Sequence, residues 1–244
     1  MDLFLVPNNP EQTVLVSLNG VAHYQVSTGK AGHSGRRVSK LQRPAESEAD
    51  SIIAEIEWKS WEHPTVLRSP LLSRNVPNTA ASCDDGYVRR LDGKNGSEGT
   101  TEGARRLSNT FGGVGERAVG VLANDFLYKR THFSSARYFL GDDNAEYRWK
   151  FVKGVGCVLT QCETNEEVAR FTYTATDEGL YAGERKSRLR IQPCSVDIDL
   201  VVLSFLMMEK RRREKAGDRA FAMMEQNHDE DPQGEGDGGD GGGQ

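Results

Sequence analysis

The chain has 244 residues, of which 27% are charged and 36% hydrophobic, and its formal net charge is −5. The negative balance argues against a nucleic-acid binder, and the strand faces offer no aromatic platform for stacking bases. Two polar stretches, residues 68–122 and the glycine-spaced acidic tail from His228, lower the hydrophobic content, and the remainder suffices for one core.

In chain order, Thr13–Thr28 predicts a hairpin turning at Asn19-Gly20, a pair suited to a type I′ turn because both central residues then need positive φ. Ile52, Ala54, Ile56 and Trp58 alternate with Ile53, Glu55, Glu57 and Lys59, which predicts a strand with one buried and one mostly wet face. Residues 68–122 carry neither helical nor strand periodicity and are expected to form a disordered insertion. Asp142-Asp143-Asn144 predicts a turn, with Gly141 available for positive φ. Tyr147, Trp149 and Phe151 then point inward, while Arg148 and Lys150 point outward. Ala169, Phe171 and Tyr173 alternate with Arg170, Thr172 and Thr174, and Leu189 and Ile191 alternate with Arg188 and Arg190. Pro193 closes the last strand, and Ser195 or Asp197 can cap the helix that follows.

That helix carries the strongest signal. Residues 198–208 are apolar at nearly every position, so the helix must be buried on all sides. The run is shorter than the roughly 20 apolar residues that cross a bilayer. Ser204 within it can bond back to the Leu200 carbonyl. Roughly eight to ten short antiparallel strands precede it, and a sheet closed or nearly closed into a barrel would cover such a helix completely while removing its own edges. The expected fold is therefore mainly β: one barrel domain from residues 1–67 and 123–215, with a central helix over about 197–215. Residues 216–244 would form a helical extension and an acidic, glycine-rich disordered tail.

No motif for catalysis, metal or cofactor stands out. His23, His33, His63, His132 and His228 show no ligand spacing, and Gly113-Val-Gly115 with Gly120 fits a flexible linker better than a dinucleotide loop. Cys83, Cys157, Cys162 and Cys194 are scattered, as small buried hydrophobes in a reduced compartment would be. Asp142-Asp143, Glu166-Glu167 and Asp197/Asp199 read as turn and helix-start carboxylates. Without a signal peptide or a sufficient apolar span, a cytoplasmic location is expected.

The order of elements carries a resemblance. The segments that carry it are Tyr24–Thr28, Ile53–Trp58, Ala136–Lys150, Val168–Phe171, Leu189–Pro193 and Asp197–Arg213, and it covers about residues 1–67 and 123–215. Together they resemble a fungal family of the numbered domains of unknown function, and the 68–122 insertion departs from its pattern. That family is similar in layout to tubby-like C-terminal domains and their phospholipid-scramblase-like relatives. The resemblance implies a β-barrel threaded by a hydrophobic helix, and some members of that group bind phosphoinositides.

One surface invites a functional expectation. Arg148 and Lys150 share the outward face of one strand, Arg188 and Arg190 that of another, and Lys210, Arg211, Arg212 and Arg213 follow the apolar run. Together they would suit anionic lipid headgroups or an acidic protein partner. The expected function is a non-enzymatic binding or scaffolding module without a cofactor. An enzyme with its site at the barrel mouth, and a membrane anchor through 198–208, are the alternatives.

Overall fold

The computed structural model describes residues 1–31, 36–59, 64–74, 120–131 and 133–216. Strands β1 (Asp2–Val6), β2 (Thr13–Val16), β3 (Ala22–Ala31) and β4 (Arg36–Gln42) lead into a one-turn helix, α1 (Glu48–Ser51). After it come β5 (Ile52–Glu57), β6 (Val66–Arg68), β7 (Gly120–Leu122) and a second short helix, α2 (Ala123–Phe126). β8 (Arg137–Leu140), β9 (Glu146–Val152), β10 (Gly156–Gln161), β11 (Glu167–Ala175) and β12 (Arg185–Ile191) precede the long helix α3 (Ile198–Ala216). The twelve strands of the described residues form one sheet, in the order β7-β6-β5-β4-β3-β2-β1-β12-β11-β10-β9-β8. The chain thus lays down two antiparallel meanders and joins them by pairing its first strand with its last, Leu3 opposite Leu189.

The sheet wraps around α3. Leu200, Val201, Val202, Leu203, Phe205, Leu206 and Met207 are all at most 2% exposed. Their neighbours come from strands far apart in the sheet order. Phe171 of β11 meets Phe205 with ring centroids 4.7 Å apart, and Tyr24 of β3 donates to Asp199 at 2.9 Å. Asn124 of α2 accepts from Arg211 at 2.7 Å. Ser204 does not bond to Leu200. Its hydroxyl donates to the Val201 carbonyl and accepts from the Trp149 indole, both at 3.0 Å, so a polar atom in the core is satisfied twice. Asp197 caps the helix by accepting from the Asp199 amide at 2.8 Å, whereas Ser195 turns to Asp143 at 2.5 Å.

The expected closure of the sheet is not made by hydrogen bonds: β7 and β8 are its two edges. The free edge of β8 is instead used by Tyr128, whose amide and carbonyl exchange bonds of 3.0 and 2.9 Å with Tyr138. The connection from α2 to β8 therefore takes the groups that a β7–β8 ladder would need.

Several local readings change. The Asn19-Gly20 turn has positive φ only at Gly20 (83°), with Gly20 N–H on Ser17 O at 2.9 Å and Ser17 N–H on Val21 O at 2.8 Å. It is a type I turn closed by a left-handed glycine, which seats an irregularity beside Leu15 and Val16. In the 141–145 loop it is Asn144 that adopts positive φ (61°). Gly141 is needed for close approach, since a Cβ there would lie 2.7 Å from the Tyr147 ring. On β5 the expected wet face is covered: Glu55 and Glu57 are 2% and 6% exposed. Arg36 reaches Glu57 at 2.5 Å and Lys40 reaches Glu55 at 3.5 Å, and these long side chains lie over the carboxylates. Cys157 is buried as expected and its thiol is pushed up to about 12, by burial and then by Glu209, but Cys194 is exposed. The segment expected to be an insertion has its flanks in the sheet, as β6 and β7. Its interior at 75–119 and the tail at 217–244 lie outside the described residues.

At the start of α3, Asp143 accepts from Tyr147 at 2.6 Å and from Ser195 at 2.5 Å. Burial alone would raise its pKa, but these hydrogen bonds outweigh burial and hold it below the ordinary 3.8. A depressed carboxyl contributes stability above its unfolded pKa and loses it as pH falls through the folded value. Asp143→Asn should therefore lower the thermal midpoint at neutral pH, with the gap to wild type closing as the pH falls below 3.8. A gap that stays constant with pH would mean that the Asp143 charge does not matter.

Candidate anion-binding site

The outer face of β9–β12 is set by register. Lys150 lies opposite Val158, Val158 opposite Arg170, Arg170 opposite Arg190, and Arg190 opposite Asp2. Because side chains alternate across a sheet, the whole row points away from α3. Arg188 lies one outward position along, opposite Thr172. Arg170, Arg188 and Arg190 border a cleft of about 530 Å³ on this face, together with Thr172, Thr174 and Gln192.

The three arginines differ in their partners. Arg170 is held by Glu167 through two bonds, one of them 2.8 Å. Arg190 is held by Asp2 at 3.0 and 3.4 Å. Hydrogen bonds to these carboxylates raise the pKa of both guanidiniums. Arg188 lies between them with no ion pair among the described residues, and its buried Nε has no hydrogen-bond partner there. One unneutralised guanidinium, flanked by two that are held in fixed orientation, presents forked donors suited to the oxygens of a phosphate or carboxylate.

Arg148 and Lys150 share the face but not the cleft. They sit on β9, two strands from β11, at roughly 10 Å. Arg148 donates to Thr160 at 3.3 Å. The residues after the apolar run lie elsewhere. Arg212 and Arg213 both reach Glu209, at 2.7 and 2.8 Å, and Arg213 also reaches the Asn8 carbonyl at 2.7 Å. Lys210 is paired with Glu11 at 3.1 Å and Glu214 at 2.9 Å and lies over the Trp58 ring. Arg211 turns to Asn124. Lys210, Arg212 and Arg213 hold the end of α3 in place, and none of the four joins the β9–β12 face.

Arg170 is the residue that strand-by-strand reading left out. Its outward parity is legible beside Ala169 and Phe171, but only the β11–β12 register puts it opposite Arg190.

A second polar cluster lies at the start of α3. Asp199 is 5% exposed, accepts from Tyr24 at 2.9 Å and from Arg43 at 2.5 Å, and sits beside a cleft of about 350 Å³ lined by Tyr24 and Arg43. Burial raises the Asp199 pKa, opposed by Tyr24 and Arg43. Burial and then the Asp199 charge push the Tyr24 hydroxyl far above its ordinary range, which keeps it a proton donor to the carboxylate. The cluster ties β3 and the segment after β4 to the helix start. Among the described residues no group of His, Cys, Asp and Glu is arranged to hold a metal ion, and no helix is long and apolar enough to cross a membrane.

No curated protein and no solved structure matches the chain. Residues 8–214 match a family model, a span that takes in β2 to β12, the 68–122 segment and α3 as far as Glu214. The chain therefore belongs to the family of unknown function DUF6593.

Proposed function

We propose that this domain is a non-enzymatic binding module that holds an anionic phospholipid headgroup on the outer face of β9–β12. The observation that carries this reading is Arg188, an arginine without a carboxylate partner among the described residues, set between Arg170 and Arg190 in the cleft. Arg148 and Lys150 lie on the same face and extend the positive field toward β9. A sheet wrapped round a C-terminal hydrophobic helix also supports the tubby-like layout, a nearly closed barrel of fungal type working at the cytoplasmic leaflet. Anionic lipid is abundant on that leaflet.

The test is sedimentation with vesicles of phosphatidylcholine, with and without phosphatidylserine or phosphoinositide. Each cation near an anionic surface contributes on the order of 1 kcal/mol, so Arg170→Gln/Arg188→Gln should weaken binding about thirtyfold. Arg148→Ser/Lys150→Ser/Arg188→Ser/Arg190→Ser should abolish it. Removing the acidic tail after His228 should strengthen it, because the tail's negative charges repel an anionic surface. If wild type and the tail deletion both stay in the supernatant at low salt, the lipid reading fails. If the arginine variants sediment like wild type, the face is wrong.

A further inference from the structure

The open seam of the sheet holds a third and larger cleft, of about 700 Å³, between the β7–α2 corner and β8. Its volume lies within the range of small-molecule pockets. Its inner end reaches Met207 and Cys157, which are 1% and 3% exposed, so the cleft runs inward along α3. Its mouth exposes Phe151 and Leu122, at 49% and 42%. Phe151 has inward parity, opposite Cys157, yet remains exposed because it stands in this cleft where α3 leaves the sheet.

Arg137 and Arg211 add charge to these apolar walls. Arg137 is opposite Trp149 in the β8–β9 ladder, so it sits on the inner face of an edge strand. Among the described residues it donates to the Ala136 carbonyl, and Arg211 donates to the neutral Asn124. Neither has a carboxylate ion pair among the described residues. The carboxylate lining the cleft is Glu214, which is paired with Lys210. Arg212 also lines it and is paired with Glu209. Burial lowers the pKa of both Arg137 and Arg211, and for Arg137 the nearby Arg211 charge lowers it further. Two guanidiniums of like charge thus face one apolar cleft, and Glu214, whose charge acts on Arg211, is ion-paired with Lys210.

We propose that the seam cleft binds a single-chain amphiphilic anion, its head held by Arg137 and Arg211 and its alkyl chain lying along Met207, Met208 and Phe151. Charge complementarity selects the head: an anion relieves the repulsion that the empty cleft leaves between the two arginines. The walls select the tail. Methionine thioethers and an aromatic edge adapt to a flexible chain and offer it no polar partner. The carboxylate of a fatty acid and the phosphate of a lysophospholipid share this chemistry. The site is separate from the Arg188 cleft, on the other side of the sheet.

The competing account of Arg137 is that an inward-pointing charge on an edge strand guards that edge against pairing with another chain. Calorimetric titration of the full chain with laurate, lysophosphatidic acid, dodecanol and inorganic phosphate separates the two. Laurate or lysophosphatidic acid should bind with one-to-one stoichiometry, and the tighter of them identifies the source of the head. Dodecanol and inorganic phosphate should each bind at least tenfold more weakly, since each supplies half of the contacts. Arg137→Gln and Arg211→Gln should each weaken laurate binding about tenfold. They should also leave the ligand-free thermal midpoint unchanged or raised, which a structural role would not do. Both variants should sediment with anionic vesicles as wild type does, so failure here is distinguishable from failure at Arg188. Absence of binding by both anions overturns the proposal. So does binding that is undiminished in the double variant, or a variant whose only change is self-association.

Discussion

Leu203→Asp should leave the protein unfolded or insoluble. Leu203 is fully buried at the middle of the apolar run of α3, within a cluster drawn from every part of the sheet. A carboxylate there meets no donor, and burying an unpaired polar or charged group costs several kcal/mol beyond the packing that is lost. Against a typical total stability of about 5–15 kcal/mol, that removes most of the margin. Leu203→Ala should cost about 2–5 kcal/mol and keep the fold, which separates loss of packing from burial of charge. The check is soluble yield and thermal midpoint for the pair. An aspartate variant that melts with wild type would show that α3 is not the centre of the core.

The second large effect should come from Glu209→Ala. Glu209 is 1% exposed and accepts from both Arg212 and Arg213, whose side chains are 22% and 11% exposed. Removing a buried carboxylate strands its partners, and breaking such a pair costs about 3–5 kcal/mol when both charges are buried. The partial exposure of the two arginines places the expected loss near the lower end, about 3 kcal/mol. Urea denaturation should show a lower midpoint with an unchanged slope. A loss under about 0.5 kcal/mol would mean that the arginines find water as readily as they found Glu209.

The part of this fold legible in the sequence was the part carried by composition over many residues. An apolar run without a polar face demands cover, and the burial of Leu200–Met208 follows from that alone. Parity within a strand was equally legible, which is why Arg148, Lys150, Arg188 and Arg190 all emerge on the outer face. Cross-strand register was not legible, because it depends on bulges such as the shift between Leu159 and Thr160. Without it Arg170 has no visible neighbour in Arg190, and Arg148 and Lys150 look closer to the β12 arginines than they are. Period 2 also says nothing about what long side chains from adjacent strands will cover, so Glu55 and Glu57 read as wet. Nor could the charges after the apolar run be sorted. The block at Lys210–Arg213 reads as a free basic surface until Glu209, Glu11 and Asn8 are seen beside it.

The Arg137–Arg211 pair escaped for a different reason. Arg137 shares the inner face of β8 with Phe139, but its company depends on where the sheet stops. The seam exists because Tyr128 occupies the edge of β8, and short edge strands carry too few residues for the sequence to announce that.

The central claim is that guanidiniums around Arg188 hold an anionic headgroup, and the salt dependence of vesicle sedimentation tests it most directly. Contacts of this kind are screened over about 8 Å at physiological ionic strength. Wild type should bind anionic vesicles at low salt and lose that binding progressively as sodium chloride is added, while Arg170→Gln/Arg188→Gln starts weaker and shows a shallower salt dependence. Binding by wild type that ignores salt, or a variant with an identical salt profile, would contradict the account.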